Sequence, residues 1–265
     1  MGRIMVLAGT ADGRQIAGEL LKAGAEVIAT VTTGYGRELL SGYPGIQIYQ
    51  GKLNAAAMLR LIRAQRIDCL IDASHPFARE ASVNAIAACG EAGIGYLRFE
   101  RNGVVTVEGA VVRRVLDFEA AADAATEVIR HGPGNVLLTI GSHHLRWFLE
   151  KIPDYPKRLV VRVLPDSGVI AECEAAGLDS GNIIAIKGPF SVELNLELLR
   201  HCNASVMVTK DSGAAGGVRE KIEAAASLGI PVIMVARPDL DYPCQANAVA
   251  EVVQWVKQRG LIPNQ

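Results

Sequence analysis

Short apolar runs alternate with amphipathic stretches along the whole chain. Arg3–Ala8 is apolar at every position after the first, as in a strand buried on both faces. In Asp12–Ala23, apolar residues return at helical spacing and Gly24 supplies a stop. The same alternation predicts strands at Glu26–Thr32, Ile46–Tyr49, Cys69–Ala73 and Tyr96–Glu100, with helices at Asn54–Gln65 and Phe77–Ala92. After Arg101-Asn102-Gly103 the pattern restarts. Strands at Val111–Val115, Val136–Ile140, Leu159–Val163, Ile183–Ile186, Val206–Thr209 and Val232–Val235 interleave with helices at Phe118–Arg130, Ser167–Ala176, Ser191–His201, Val218–Leu228 and Asn247–Gln258.

Strands that alternate with helices imply parallel sheets covered on both faces. About ten strands exceed one ordinary doubly wound sheet. The expected fold class is therefore α/β, with two Rossmann-like parallel-sheet domains and the active site in the cleft between them. The non-helical stretch Arg101–Val115 is the seam, which places the domains near 1–108 and 109–265. One wide sheet is the alternative. No fixed-period repeat points to a solenoid.

Half of the 265 residues are apolar, enough to bury a sizeable core and to exclude a disordered chain. Lys and Arg number 27 against 28 Asp and Glu, so no basic surplus exists for wrapping nucleic acid. No apolar run reaches the length of a membrane span. The opening, Met1-Gly2-Arg3-Ile4-Met5-Val6, enters a strand pattern without a signal-peptide layout, and a cytoplasmic location is expected. Cys69, Cys89, Cys173, Cys202 and Cys244 are odd in number and lack CxxC spacing, so they read as reduced, buried thiols. HExxH is missing, and the adjacent His143 and His144 point to different sides of any regular element. No metal site is expected.

Ligands of open α/β sheets bind beyond the carboxyl ends of the strands. After the first strand comes Ala8-Gly9-Thr10-Ala11-Asp12-Gly13-Arg14. Its small residues let a phosphate approach a helix N-terminus, although the same residues also serve a plain strand-to-helix turn. After the second comes Thr30-Val31-Thr32-Thr33-Gly34-Tyr35-Gly36-Arg37. Hydroxyls and Arg37 stand where an NAD site usually places a carboxylate, which leans toward a 2′-phosphate and NADPH. The fourth strand leads into Asp72-Ala73-Ser74-His75-Pro76-Phe77-Ala78-Arg79, where Pro76 marks a helix start and Ser74 is its candidate cap. Later strand ends carry Thr139-Ile140-Gly141-Ser142-His143, Lys187-Gly188-Pro189-Phe190-Ser191 and the glycine-rich Thr209–Gly217. GxSxG, the P-loop and a Tyr-xxx-Lys pair are all missing. The residues alone reach a two-domain α/β protein with several anion-friendly loops facing one cleft; dinucleotide binding is compatible with them, and the reaction is open.

Taken together, these loops resemble the precorrin-6A reductase family of cobalamin biosynthesis, including its cobalt-precorrin-6A members. The resemblance runs through Gly9-Thr10 with Arg14, Thr33–Gly36, Ile71–Ala78, Tyr96–Arg101, Gly141-Ser142, Arg162–Pro165, Gly188–Ser191, Thr209–Gly213, Ile230–Ile233 and Arg237-Pro238. Family members often read Gly-Gly-Thr at Ala8-Gly9-Thr10, Gln at Lys187, and Gly-Ser-Lys-Asn at Gly141–His144.

The resemblance implies that a nicotinamide hydride is delivered to C19 of precorrin-6A, or its cobalt form, giving precorrin-6B without flavin or metal. The expected cofactor is NADPH, with NADH as alternative. It implies cofactor binding by Gly9, Thr10, Arg14, Thr33, Gly34, Tyr35, Gly141, Ser142, Gly188, Pro189, Phe190 and Ser191. The tetrapyrrole, rich in acetate and propionate groups, falls to Ser74, Arg79, Lys187, Lys210, Asp211, Ser212 and Gly213, with Arg219 a further cation of interest. Lys210 is the leading catalytic candidate, with Asp72 and His75 as weaker ones for proton supply or positioning. A monomer is expected. The rival readings are another NAD(P)-dependent reductase on this scaffold, a non-catalytic dinucleotide- or tetrapyrrole-binding protein, and a pathway methyltransferase.

Overall fold

The computed structural model describes residues 2–101, 106–130, 132–213 and 216–263. Residues 102–105 of the seam, and Ala214 and Ala215 of the glycine-rich loop, lie outside them. The chain divides into two compact units, one formed by 1–102 with 239–265 and the other by 103–238.

The first unit starts as β1 (Arg3–Leu7), α1 (Ala11–Lys22), β2 (Glu26–Val31), α2 (Gly34–Leu40), β3 (Gln47–Gln50), α3 (Ala55–Gln65), β4 (Cys69–Asp72), α4 (Arg79–Ala92) and β5 (Gly95–Phe99). Burial explains the apolar strands. In β1, Ile4 and Val6 join one core with Ile16, Leu20, Val27 and Phe99. Met5 and Leu7 join the core on the opposite face with Met58, Ile62, Leu70 and Cys89. Helix starts are fixed by side-chain caps: Thr10 accepts from Gly13 N at 3.0 Å, Thr33 from Gly36 N at 3.1 Å, and Asn54 from Ala57 N at 2.9 Å.

The second unit contains β6 (Val112–Val115), α5 (Phe118–Ile129), β7 (Asn135–Leu138), α6 (Leu145–Lys151), α7 (Tyr155–Arg158), β8 (Leu159–Val163), α8 (Ser167–Ala175), β9 (Ile183–Ala185), α9 (Val192–His201), β10 (Ala204–Lys210), α10 (Val218–Ser227) and β11 (Val232–Val235). The chain then returns to the first unit with β12 (Gln245–Ala246) and α11 (Val249–Gln258).

This return corrects the boundary read from the sequence, which assigned everything after 109 to the second domain. Arg98 N donates to Cys244 O at 2.9 Å, and Glu100 N to Ala246 O at 3.0 Å, adding β12 beside β5. Helix α11 follows because Val252, Trp255 and Val256 complete the core that contains Phe99. Two other differences concern local structure. Helices α2, α6 and α7 stand where the sequence pattern assigned no element. Helix α4 starts at Arg79 rather than Phe77, and its N-cap residue is Ala78, not Ser74.

Both six-stranded sheets are parallel. Their orders are β12-β5-β4-β1-β2-β3 and β6-β11-β10-β7-β8-β9. Each order reverses direction once, between β1 and β4 in the first and between β7 and β10 in the second. These are the topological switch points at which α/β sheets open a crevice for ligands. Among the described residues, no helix is long and apolar enough to cross a membrane.

Candidate functional site

A pocket of about 220 Å³ opens at the first switch point, lined by Gly9, Thr32, Gly51, Ser74 and His75 with Met58 on its apolar wall. Two glycines of the β1–α1 turn divide the work. A Cβ on Gly9 would meet nothing within 4 Å, so its backbone lies open to the pocket. A Cβ on Gly13 would stand 2.8 Å from Ala8 Cα, so this glycine lets α1 pack closely on the strand end. Gly13 belongs to the site's architecture, although the sequence reading gave it no role. Thr10 bridges the crevice by donating from Oγ1 to Ala73 O at 2.8 Å while capping α1. Arg14 sits half-buried in the first turn of α1.

At the end of β2, Thr33 caps the short helix that carries Gly34 and Tyr35. Tyr35 is 50% exposed, which removes it from the core. Arg37 lies exposed on the same helix. No carboxylate stands between Thr30 and Arg37.

Asp72 is fully buried at the end of β4. Its Oδ1 accepts from Ser74 N at 3.0 Å and from Arg98 Nη1 at 3.1 Å. Its Oδ2 accepts from Ser82 Oγ at 2.6 Å and from Tyr96 OH at 2.7 Å. A carboxylate that receives four hydrogen bonds holds its neighbours in place. Burial and the adjacent Asp72 push the Tyr96 hydroxyl well above its ordinary pKa. For Arg98, burial opposes the charge, but Asp72, Tyr242 and Glu100 outweigh it and hold the pKa above the usual value. Arg98 also donates to Ser74 Oγ at 3.1 Å and to Glu100 at 3.2 Å, and its guanidinium lies 5.4 Å from the Tyr242 ring centroid. Ser74 is therefore fixed at the pocket wall from both its backbone and its hydroxyl. His75 is exposed there, with Nδ1 accepting from Phe77 N at 3.2 Å. Arg79, also exposed, opens α4. Ser82, Tyr96 and Arg98 were not singled out as site residues by sequence. The run Tyr96–Arg101 within the resemblance was the available signal.

In the second unit, Lys210 ends β10 half-buried, and burial lowers its ammonium pKa. Asp211 is buried and pinned by Arg114 at 3.2 Å and Arg237 at 3.5 Å. Those two arginines orient its carboxylate, and its Oδ1 is buried without a hydrogen-bond partner. Ser212 and Gly213 follow, and a Cβ on Gly213 would stand 3.1 Å from Arg237 Nη2. Across the switch point, Gly141 leaves open space for a Cβ, and Ser142 accepts from Leu145 N at 3.1 Å. His144 stacks on Phe118 at 3.6 Å, and burial, Lys210 and the neighbouring His143 and Arg146 lower its pKa. Lys187 is exposed, Gly188-Pro189 is a cis peptide, Phe190 lies against Arg162, and Ser191 caps α9. Arg219 is paired with Glu223 at 2.7 Å on the outer face of α10. The structure thus gathers Gly9, Thr10, Arg14, Thr33, Gly34, Tyr35, Asp72, Ser74, His75 and Arg79 in the first unit. The remaining candidates belong to the second.

A family model described as precorrin-6x reductase CbiJ/CobK matches residues 3–257. The cobalt-precorrin-6A reductase of Priestia megaterium is 40% identical over 253 residues, covering 94% of this chain and 96% of that protein. The precorrin-6A reductase of Rhodobacter capsulatus is 30% identical over 263 residues, covering 99% of each. A solved structure of CobK precorrin-6A reductase matches over the full length of both chains with a TM-score of 0.80 and 28% identity. With a family model spanning both units, and relatives aligned nearly end to end, the chain belongs to the precorrin-6x reductase family of oxidoreductases.

Proposed function

We propose that the protein reduces precorrin-6A, or its cobalt form, to the corresponding precorrin-6B, with the hydride delivered to C19 from NADPH. The observation that carries this reading is the crevice between β1 and β4, where Gly9 leaves the backbone open beside the N-terminus of α1. A helix N-terminus favours the cofactor's diphosphate. The hydroxyls of Thr32 and Thr33, with Arg37 and no carboxylate, favour a 2′-phosphate and hence NADPH over NADH. When bound, the nicotinamide supplies the hydride.

The chain's own residues then bind and orient. Thr10 ties the β1 and β4 ends together, so the pocket keeps its width. Asp72 and Arg98 fix Ser74 at the wall, with His75 next to it. Asp72 is a positioning residue, since its acceptor sites are already filled. Lys210, at the end of β10, anchors a substrate carboxylate or steers charge near the reduced bond. Lys187, Ser212 and Gly213 extend the same substrate-binding surface.

The test is a single-turnover reaction. Purified protein is mixed with precorrin-6A, or its cobalt form, and NADPH, while nicotinamide absorbance and the macrocycle spectrum are followed together. Equimolar, synchronous changes are expected, faster with NADPH than with NADH. No change with either macrocycle would overturn the reading.

A further inference from the structure

The second unit holds a buried lysine and a half-buried arginine that the proposed mechanism leaves unused. Arg162 stands near the end of β8. Its Nη1 donates to Asn195 Oδ1 at 2.9 Å, and its guanidinium lies 4.9 Å from the Phe190 ring centroid. Asn195 is 3% exposed and is itself locked, donating from Nδ2 to Ser191 O at 2.8 Å and Phe190 O at 3.3 Å. Lys221, in the first turns of α10, is 7% exposed and donates to Gly216 O at 2.8 Å. Among the described residues, neither cation forms an ion pair with a carboxylate. Glu220, the nearest acid in sequence, keeps its Oε2 buried without a hydrogen-bond partner.

Such an arrangement works against stability. Burial removes hydration from both cations, and the N-terminal end of a helix disfavours positive charge. Burial, with the charges of Arg162 and Lys210, brings the Lys221 ammonium down to about 7 against the weaker pull of Glu220. Burial likewise lowers Arg162 to about 10. Pro189, next to the Phe190 that stacks on Arg162, would lie 3.3 Å from a Cβ on Gly217, the residue that opens the helix of Lys221, so both cations flank one loop. A planar guanidinium held by one neutral amide and an ammonium held by one carbonyl match the two oxygens of an anion.

We propose that Arg162 and Lys221 form a receptor for one carboxylate of the ligand bound by the second unit, with Asn195 and Phe190 as the residues that position the arginine. The assignment rests on reading that ligand as a macrocycle with carboxylate arms, and it names the residues that would hold one arm. A phosphate of the dinucleotide shares the same chemistry and is separated by the test.

The full chain is melted in chloride, in propionate and in inorganic phosphate at matched ionic strength, as wild type, Lys221→Met and Arg162→Gln. Wild type is expected to gain midpoint temperature in both oxyanions. Both variants lose that gain, and Lys221→Met melts no lower than wild type in chloride. A lower midpoint in chloride with the oxyanion gain intact would make Lys221 a strut for the loop and overturn the proposal. NADPH titration by fluorescence should give the same Kd in all three proteins, because weaker binding in the variants would assign the site to a cofactor phosphate instead. In turnover, Lys221→Met should raise the macrocycle KM about tenfold or more with kcat within about threefold, and Lys221→Arg should restore it. If wild type turns over no macrocycle yet shows the oxyanion gain, the receptor stands and the substrate reading falls.

Discussion

Arg98 Nη1 meets Asp72 Oδ1 at 3.1 Å, and neither side chain is more than 1% exposed. The pair joins two distant parts of the first unit. On one side Arg98 receives the returning chain, through the Cys244 carbonyl and the Tyr242 ring. On the other, the same guanidinium and its partner carboxylate hold Ser74 at the pocket wall.

Removing one member leaves a buried charge uncompensated, which costs roughly 3–5 kcal/mol. Arg98→Met should therefore lower unfolding free energy by that amount in urea titration. Combining it with Asp72→Asn should recover part of the loss. A single-variant cost below about 1 kcal/mol would mean that the pair contributes little.

Gly9 and Gly13 should separate binding from folding. Gly13→Ala forces a Cβ against the Ala8 backbone and should destabilise by about 1–3 kcal/mol. Gly9→Ala meets no atom, so its melting midpoint should match wild type while NADPH binding weakens about tenfold or more. Unchanged binding in Gly9→Ala would move the cofactor away from this turn.

If Lys210 anchors a substrate carboxylate as proposed, Lys210→Ala removes a hydrogen bond to a charged group, worth roughly 1.5–3 kcal/mol. Turnover should fall about ten- to a hundredfold in the single-turnover assay. Near-normal rates would release Lys210 from the substrate site.

The pH dependence of stability follows from Lys221. Burial brings its pKa down to about 7 in the folded chain, against an ordinary lysine value of 10.5. Between those values the unfolded chain binds more protons, so stability rises with pH across that window, and the penalty is full below it. The gain is on the order of a few kcal/mol. Arg162, Lys210 and Glu220 are the charged groups around it. Lys221→Met should flatten the rise in denaturation curves collected between about pH 7 and pH 10. Parallel curves for variant and wild type would place the titration elsewhere.

How much was legible in the sequence depended on what held each element. Strands such as β1 announce themselves because both faces are buried, so hydropathy has no polar interruptions. Strand β12 gives no such signal. It is two residues long, one of them exposed, and backbone bonds to β5 hold it. Helix α2 was hidden by Gly34 and Gly36, although Gly36 is needed where a Cβ would press within 3.1 Å of Val31. The switch-point loops were read correctly as strand ends because turn chemistry is local. Asp72 shows the opposite case. A carboxylate after a strand reads equally as a proton donor or as an acceptor. Three of its four donors lie 10, 24 and 26 residues further on, beyond the reach of a local reading.

The late arrival of β12 also sets an order of assembly. The segment 103–238 is continuous, so its sheet can close as soon as β11 leaves the ribosome. The unit that begins the chain must wait, from β5 onward, on the order of ten seconds for its outermost strand, at ordinary rates of synthesis. Until then the edge of β5 and the apolar face around Phe99 stay uncovered, an invitation to chaperones or to mispairing. The domain translated first is thus the one completed last.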